Sequence, residues 1–258
     1  MRAMIFAAGL GTRLKPLTDT MPKALVPLAG KTLLQWQIER LKAAGITDIV
    51  VNVHHFPDQI IDYLKDNDNF GCHIQVSDER AALLETGGGL RKARPLLMPA
   101  SSADSATTCE PILICNVDIL SNIDLHLLLR AYRPDEMGLL VVSTRDTQRY
   151  LLFDHDNRLH GWTNISTGEV RPAGLDIDKA QTMKRLAFSG MQLLNPRIFD
   201  VMDDVVRQRG DKFSLIDLYL TLTEREVLRA YVPADYRMMD VGKIAQLSEA
   251  ESFAESLG

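Results

Sequence analysis

The chain has few cysteines, no membrane-length apolar run and no excess of positive charge. Cys72, Cys109 and Cys115 are odd in number, and no two share the C-x-x-C spacing. A disulfide framework or zinc site is therefore not expected, and a reducing cytoplasm is the simpler setting. The apolar stretch that opens the chain, residues 3–8, is too short for the core of a secretion signal. No segment approaches the roughly 18 apolar residues of a membrane span, so no membrane partner is expected. Net charge is −5, which removes the broad basic footprint of a nucleic-acid binder. A small phosphorylated ligand remains open, because a local cation cluster and the total charge are separate matters. With 258 residues, 46% hydrophobic and 24% charged, the chain can build a sizeable globular core.

The first half alternates strand-like and helix-like segments. AMIFAA (3–8) reads as a buried strand. TLLQWQIERLKAAG (32–45) places Leu34, Ile38 and Leu41 on one helical face and Gly45 at the stop. DIVVNV (48–53), HIQVS (73–77) and PILICNVD (111–118) are further strands. PDQIIDYLKD (57–66) is a helix with proline in its first turn, and GLRKARPLL (89–97) a short helix broken at Pro95. This alternation predicts an α/β fold, a Rossmann-like mixed sheet, mostly parallel, with helices on both faces. Ligands in such sheets lie beyond the carboxyl ends of the strands. That singles out the glycine turn after the first strand and Asp118.

The second half is more mixed. It offers a strand at 138–144, a hairpin at 151–164 turning at Asp156-Asn157, and a strand at 185–194 interrupted by Gly190. A helix at 214–224, a strand at 226–233 and a closing helix at 244–257 follow. Residues 98–110 are small and polar, as in a surface loop. No linker separates two units, so one domain over 1–258 is expected.

The stretch AAGLGTRLKPLTDTMPKALVP (7–27) has three rival explanations. A dinucleotide fingerprint needs a third glycine, where this chain has Leu14, and an acidic residue after the second strand, where it has His54 and His55. A P-loop ending at Gly30-Lys31-Thr32 would need glycine at position 25, which is Leu25. What remains is a glycine loop followed by two separated cations. Gly9 and Gly11 let backbone N–H groups approach phosphate oxygens. Arg13 can fork onto two oxygens, and Lys23, between Pro22 and Pro27, supplies a compact charge. His54 and His55 lack the converging carboxylates of a metal site and are expected to pack or face solvent.

With those residues in place, LGTRLKPLT…MPKALVPLAGKTLLQW closely resembles the signature of the sugar-1-phosphate nucleotidylyltransferases, and the likeness spans nearly the whole chain. The resemblance implies Mg²⁺-dependent transfer of a nucleoside monophosphate from an NTP to a sugar 1-phosphate, with release of pyrophosphate. It implies a nucleotide-binding half at 1–120 and a sugar-binding half at 121–258. Ala8, Gly9, Gly11, Thr12 and Arg13 would hold the triphosphate, with Arg13 and Lys23 catalytic. LLETGGGL (83–90) lies where the family reads the base, through Thr86, Gly87 and Gly88. CNVD (115–118) and MMDVGK (238–243) match its metal-binding aspartates, here Asp118 and Asp240. FSGMQLLNP (188–196) resembles the segment lining the sugar pocket, through Ser189 and Gly190, with Glu85 a further polar contact.

The chain departs from many relatives in lacking a Glu-Lys-Pro segment, whose lysine grips the sugar phosphate. Arg171, Lys184 or Arg185 could replace it. The long C-terminal extension of bifunctional relatives is also absent. LETGGG with VNVHHFPDQI looks most like the short uridylyltransferases acting on N-acetylmuramic acid 1-phosphate. UTP is therefore expected as donor over GTP, in a monomer or small homo-oligomer. Mannose- or heptose-1-phosphate guanylyltransferases, and a catalytically silent nucleotide-sugar-binding regulator, are the alternatives.

Overall fold

The computed structural model describes residues 1–98 and 110–257. The surface loop expected at 98–110 therefore lies, apart from its two ends, outside the described residues, as does Cys109. In chain order the first half forms β1 (Arg2–Phe6), the short pair β2 (Pro27–Leu28) and β3 (Lys31–Thr32), α1 (Leu33–Ala43), β4 (Asp48–Val53), α2 (Pro57–Asp66) and β5 (His73–Asp78). It continues through α3 (Glu85–Lys92), α4 (Arg94–Leu97), β6 (Ile112–Asn116), β7 (Ile119–Ser121) and α5 (Leu125–Ala131). The second half holds β8 (Gly138–Ser143), β9 (Arg149–Phe153), β10 (Leu159–Asn164), β11 (Glu169–Arg171), α6 (Ile177–Thr182) and β12 (Lys184–Leu194). It closes with α7 (Ile198–Arg209), α8 (Leu215–Leu222), β13 (Leu228–Tyr231), β14 (Met238–Asp240) and α9 (Leu247–Glu255).

The main sheet runs β11-β10-β9-β12-β6-β1-β4-β5, with β8 and β13 branching from β12. Strands β6, β1, β4 and β5 are mutually parallel, as the alternating pattern requires. Their apolar runs are nearly continuous because both faces are covered. Along β1, Ala3 and Ile5 join the core beneath α1, while Met4 joins the core on the opposite face. Helix α1 begins where its capping residue stands: the Thr32 hydroxyl accepts the Gln35 N–H at 3.1 Å. Its Leu34, Ile38 and Leu41 are fully buried, as their spacing predicts.

Strand β12 converts the parallel half into an antiparallel extension. Met191–Leu194 pair with β6, while Lys184–Leu186 pair with β9, which leads on to β10 and β11. Between these stretches the register breaks, and Gly190 takes a left-handed φ of 69°. A Cβ on Gly190 would lie 2.9 Å from the Asn116 side-chain nitrogen and 2.9 Å from Ile119. The interruption foreseen in the sequence is thus a bulge that needs glycine on two counts, conformation and space. The expected hairpin appears as β9 and β10, whereas the short strands β7 and β14 carry too little apolar pattern to be read from sequence.

Gly190→Ala should cost about 1–3 kcal/mol in stability, from the left-handed backbone and the tight contact together. Chemical denaturation measures it. A loss within error of zero would show that the bulge does not depend on glycine.

Candidate active site

After β1 the chain enters an open loop at the carboxyl edge of the parallel strands. Gly11 has φ 64°, and a Cβ there would come within 2.8 Å of Thr18. The Gly11 carbonyl accepts from the Leu14 N–H at 2.8 Å and from the Thr18 hydroxyl at 2.9 Å. This closes a single 3₁₀ turn, Thr12–Leu14, whose Leu14 is fully buried. Where a dinucleotide fingerprint keeps glycine, this loop therefore anchors a core side chain, and Arg13 projects toward the cavity instead. After a further 3₁₀ turn at Leu17–Asp19, Lys23 opens a third behind Pro22, held by the buried Ala24 and Val26.

Lys23 Nζ is paired with the Asp118 carboxylate, the two side chains being only 10% and 20% exposed. Asp118 sits just past β6, whose neighbour in the sheet is β1. Asp240 arrives from the far end of the chain through β14, which pairs antiparallel with β7 so that Asp240 stands opposite Ile119. The Val241 N–H then donates to the Asp118 carbonyl at 2.8 Å. Both aspartates are thus fixed by backbone bonds on one short ribbon. Although its side chain still reaches solvent, Asp240 holds its proton above the usual carboxylate range. Surrounding protein desolvates it and the Asp118 charge repels its own, against the pull of Lys23, Arg13 and Arg145. Gly242 lies between the charges: a Cβ there would be 2.6 Å from Asp240 Oδ1 and 2.8 Å from Arg13 Nη2.

Two adjoining cavities meet here. The first, about 560 Å³, is lined by Ala8, Gly9, Gly11, Thr12, Arg13, Lys23, Thr86 and Asp118 from the sequence-derived set. The second, about 910 Å³, is lined by Asp240 and by one face of the β9–β10–β11 extension. Arg13 and Glu85 line both, with Glu85 in a left-handed conformation at φ 61°. The remaining expectations fall elsewhere. The Gly87 and Gly88 N–H groups both donate to the Phe213 carbonyl, at 2.9 and 3.2 Å, and a Cβ on either would overlap residues 211–213. Their smallness serves helix packing, and those N–H groups are not turned to a base. Ser189 is fully buried, and neither it nor Gly190 lines either of these two cavities; Phe188 lines the second. The Thr86 hydroxyl accepts the Leu215 N–H at 2.9 Å.

Among the cations considered for the acceptor phosphate, Arg171 lines the second cavity, whereas Lys184 is bonded to His155 and Asn157 on the surface. Arg145, which sequence reasoning missed, lines that cavity and acts on Asp240. Its only sequence signal is its place just after a strand. His54 and His55 donate to the carbonyls of Glu79 (2.7 Å) and Thr18 (3.1 Å), packing roles as expected. Cys115 is buried, which pushes its thiol up to about 11, and Cys72 is also unpaired. No group of three or more metal-ligating side chains occurs among the described residues, and no described helix is long and apolar enough to cross a membrane.

A family model described as Nucleotidyl transferase matches residues 2–256. The N-acetylmuramate alpha-1-phosphate uridylyltransferase of Neisseria meningitidis is 46% identical over 260 residues, covering 98% of this chain and 98% of that protein. Mannose-1-phosphate guanylyltransferase 1 of Arabidopsis thaliana is 30% identical over 208 residues, 79% of this chain and 52% of that protein. Among solved structures, HddC from Yersinia pseudotuberculosis complexed with GMP-PN superposes with a TM-score of 0.70 at 21% identity. The match covers 98% of this chain and 99% of that one, a likeness of fold.

Glu79, another residue the sequence did not single out, also lines the first cavity. It is buried, accepts from Asn52 at 2.7 Å, and through Asn52 is tied to the Ala7 N–H at 2.8 Å. Burial raises its pKa above the usual carboxylate value, despite those donors. The folded state therefore keeps this proton to higher pH than the unfolded chain. That contribution to stability is complete below the unfolded pKa and is lost as pH rises through the folded one. Glu79→Gln should remove this loss, so its melting temperature should gain on the wild type as pH climbs through and past the carboxylate range. A difference that is constant with pH would contradict the assignment.

Proposed function

The chain belongs to the nucleotidyl transferase family, and from that premise we propose that it moves UMP from UTP to N-acetylmuramic acid 1-phosphate, releasing pyrophosphate. The chain is a sugar-1-phosphate nucleotidylyltransferase; the identity of donor and acceptor is the proposed part. The observation that carries the reading is the meeting of Lys23, Asp118, Asp240 and Arg13 where the two cavities join. The first cavity, at the carboxyl edge of the parallel strands, takes the nucleotide. The second takes the sugar. One unit thus carries its nucleotide side mainly in residues 1–120 and its sugar side in 121–258.

The reaction asks little covalent chemistry of the protein. An acceptor phosphate oxygen attacks the α-phosphorus in line. A bond to that phosphorus forms while its bond to the bridging oxygen of the β-phosphate breaks, and pyrophosphate departs. The attacking oxygen is already anionic, so no general base is required. Lys23 and Arg13 neutralise charge on the α-phosphate and the departing pyrophosphate, and Glu85 and Arg145 stand where the acceptor enters. Asp118 and Asp240 suit a Mg²⁺ ion. Two neighbouring carboxylates, with the Asp118 charge raising the proton affinity of Asp240, are few for an all-protein cage, but fit a cation that completes its shell with water and phosphate. Such an ion would screen the transferred phosphate and help organise the triphosphate.

Pyrophosphate release measured across the four common NTPs and a set of sugar 1-phosphates tests the assignment. UTP with N-acetylmuramic acid 1-phosphate should give the highest kcat/KM. GTP with mannose 1-phosphate in that place would overturn it in favour of a guanylyltransferase. With the preferred pair, Lys23→Ala should lower kcat by about 10²–10³, the range for removing one group aimed at transition-state charge.

A further inference from the structure

The acceptor cavity carries more guanidinium groups than a phosphate at the reacting end can use. One face of the antiparallel extension builds its wall. In the ladder Arg149 stands opposite Asn164 and Asn164 opposite Glu169, while Leu151 faces Trp162 and Trp162 faces Arg171. Alternate residues of a strand share a face, so these side chains form two neighbouring rows on the same surface. All of them line the cavity.

The arginines of this cavity differ in what the protein gives them. Arg171 lies over the Trp162 ring at 4.1 Å, donates a hydrogen bond to Asp217 and forms an ion pair with Glu169, both at 3.0 Å, so two carboxylates neutralise it. Arg145 donates to the Phe188 carbonyl at 3.0 Å and acts on Asp240, which places it with Arg13 and Lys23 at the reacting end. Arg149 belongs to neither group. Among the described residues its guanidinium has no hydrogen-bond or ion-pair partner, and only its backbone N–H is bonded, to Thr147. Beside it, Asn164 uses its side-chain oxygen on Ser166. The one acid on its row, Glu169, is held by Arg171.

We propose that Arg149 recognises a second anionic group on the acceptor, a carboxylate carried by the sugar ring, at a place apart from the 1-phosphate. This rests on the acceptor assignment above, since N-acetylmuramic acid bears a lactyl carboxylate on its ring. An unneutralised guanidinium in a walled cavity is suited to a forked contact with a carboxylate. The same group explains how the site prefers this acceptor over a neutral 2-acetamido sugar. Discarding the ligand carboxylate leaves Arg149 with nothing to bind, whereas discarding Arg149 leaves the carboxylate desolvated and unpaired.

The test compares N-acetylmuramic acid 1-phosphate with N-acetylglucosamine 1-phosphate, which differs in lacking the lactyl ether. Wild-type enzyme should favour the first in kcat/KM. Arg149→Gln should lower that preference by about 10- to 100-fold, chiefly through a raised KM for the lactyl sugar, with Arg149→Lys recovering part. Calorimetric binding of the two product UDP-sugars should show the same shift, independently of turnover. Because the Arg149 guanidinium has no hydrogen-bond or ion-pair partner among the described residues, melting temperature should be unchanged. If the wild type prefers the lactyl sugar and Arg149→Gln leaves both the kinetic and the binding preference intact, the role of Arg149 is overturned. If the wild type shows no such preference, the acceptor assignment itself fails and the inference falls with it.

Discussion

Two carboxylates held side by side are the constraint on which the rest of this structure turns. Asp118 and Asp240 come from distant parts of the chain, and their mutual repulsion would part them if their backbones were free. The β7–β14 ribbon and the Val241–Asp118 bond remove that freedom. Lys23 offsets one charge directly, and Arg13 and Arg145 act on the other from its flanks. Residual like-charge repulsion in a fold is costly unless something relieves it, and a divalent cation with phosphate oxygens relieves it best. The arrangement of these charges thereby favours a cation and phosphate over water at this point.

On the proposed assignment, the sheet accounts for how a nucleotide and a sugar can share that centre. Its parallel half ends in loops that present Arg13, Lys23 and Asp118 at one edge, and buried Glu79 and Asn52 brace those loops from inside. Strand β12 then bends at Gly190 and hands the sheet over to β9, β10 and β11, one face of which walls the second cavity. On the proposed reading one sheet serves two ligands in line, with the aspartates at the seam. Positioning of this kind, more than any acid or base, is what phosphoryl-type transfer asks of a protein.

Much of this was legible in the sequence, for physical reasons that can be named. The parallel strands announced themselves through apolar runs, and α1 through the spacing of Leu34, Ile38 and Leu41. The cations and aspartates stood at strand ends, where an α/β sheet concentrates its chemistry. The glycines misled. Gly87 and Gly88 satisfy helix packing against Phe213, and Gly190 a bulge, while a sequence shows only that a side chain is missing. Ser189 is buried beside the bulge, where alternation cannot assign a strand residue to a face. Arg145, Arg149 and Glu79 passed unnoticed because their importance lies in what surrounds them. A free guanidinium and a buried carboxyl are properties of tertiary structure.

The most direct test of the account is equilibrium binding of Mn²⁺, followed by electron paramagnetic resonance, in the presence of a non-reactive UTP analogue. The wild type should bind the ion with the nucleotide, and Asp118→Asn and Asp240→Asn should each weaken that binding by at least about tenfold, the loss of one charged ligand. Undiminished binding in both variants would contradict the claim that the paired aspartates organise this site.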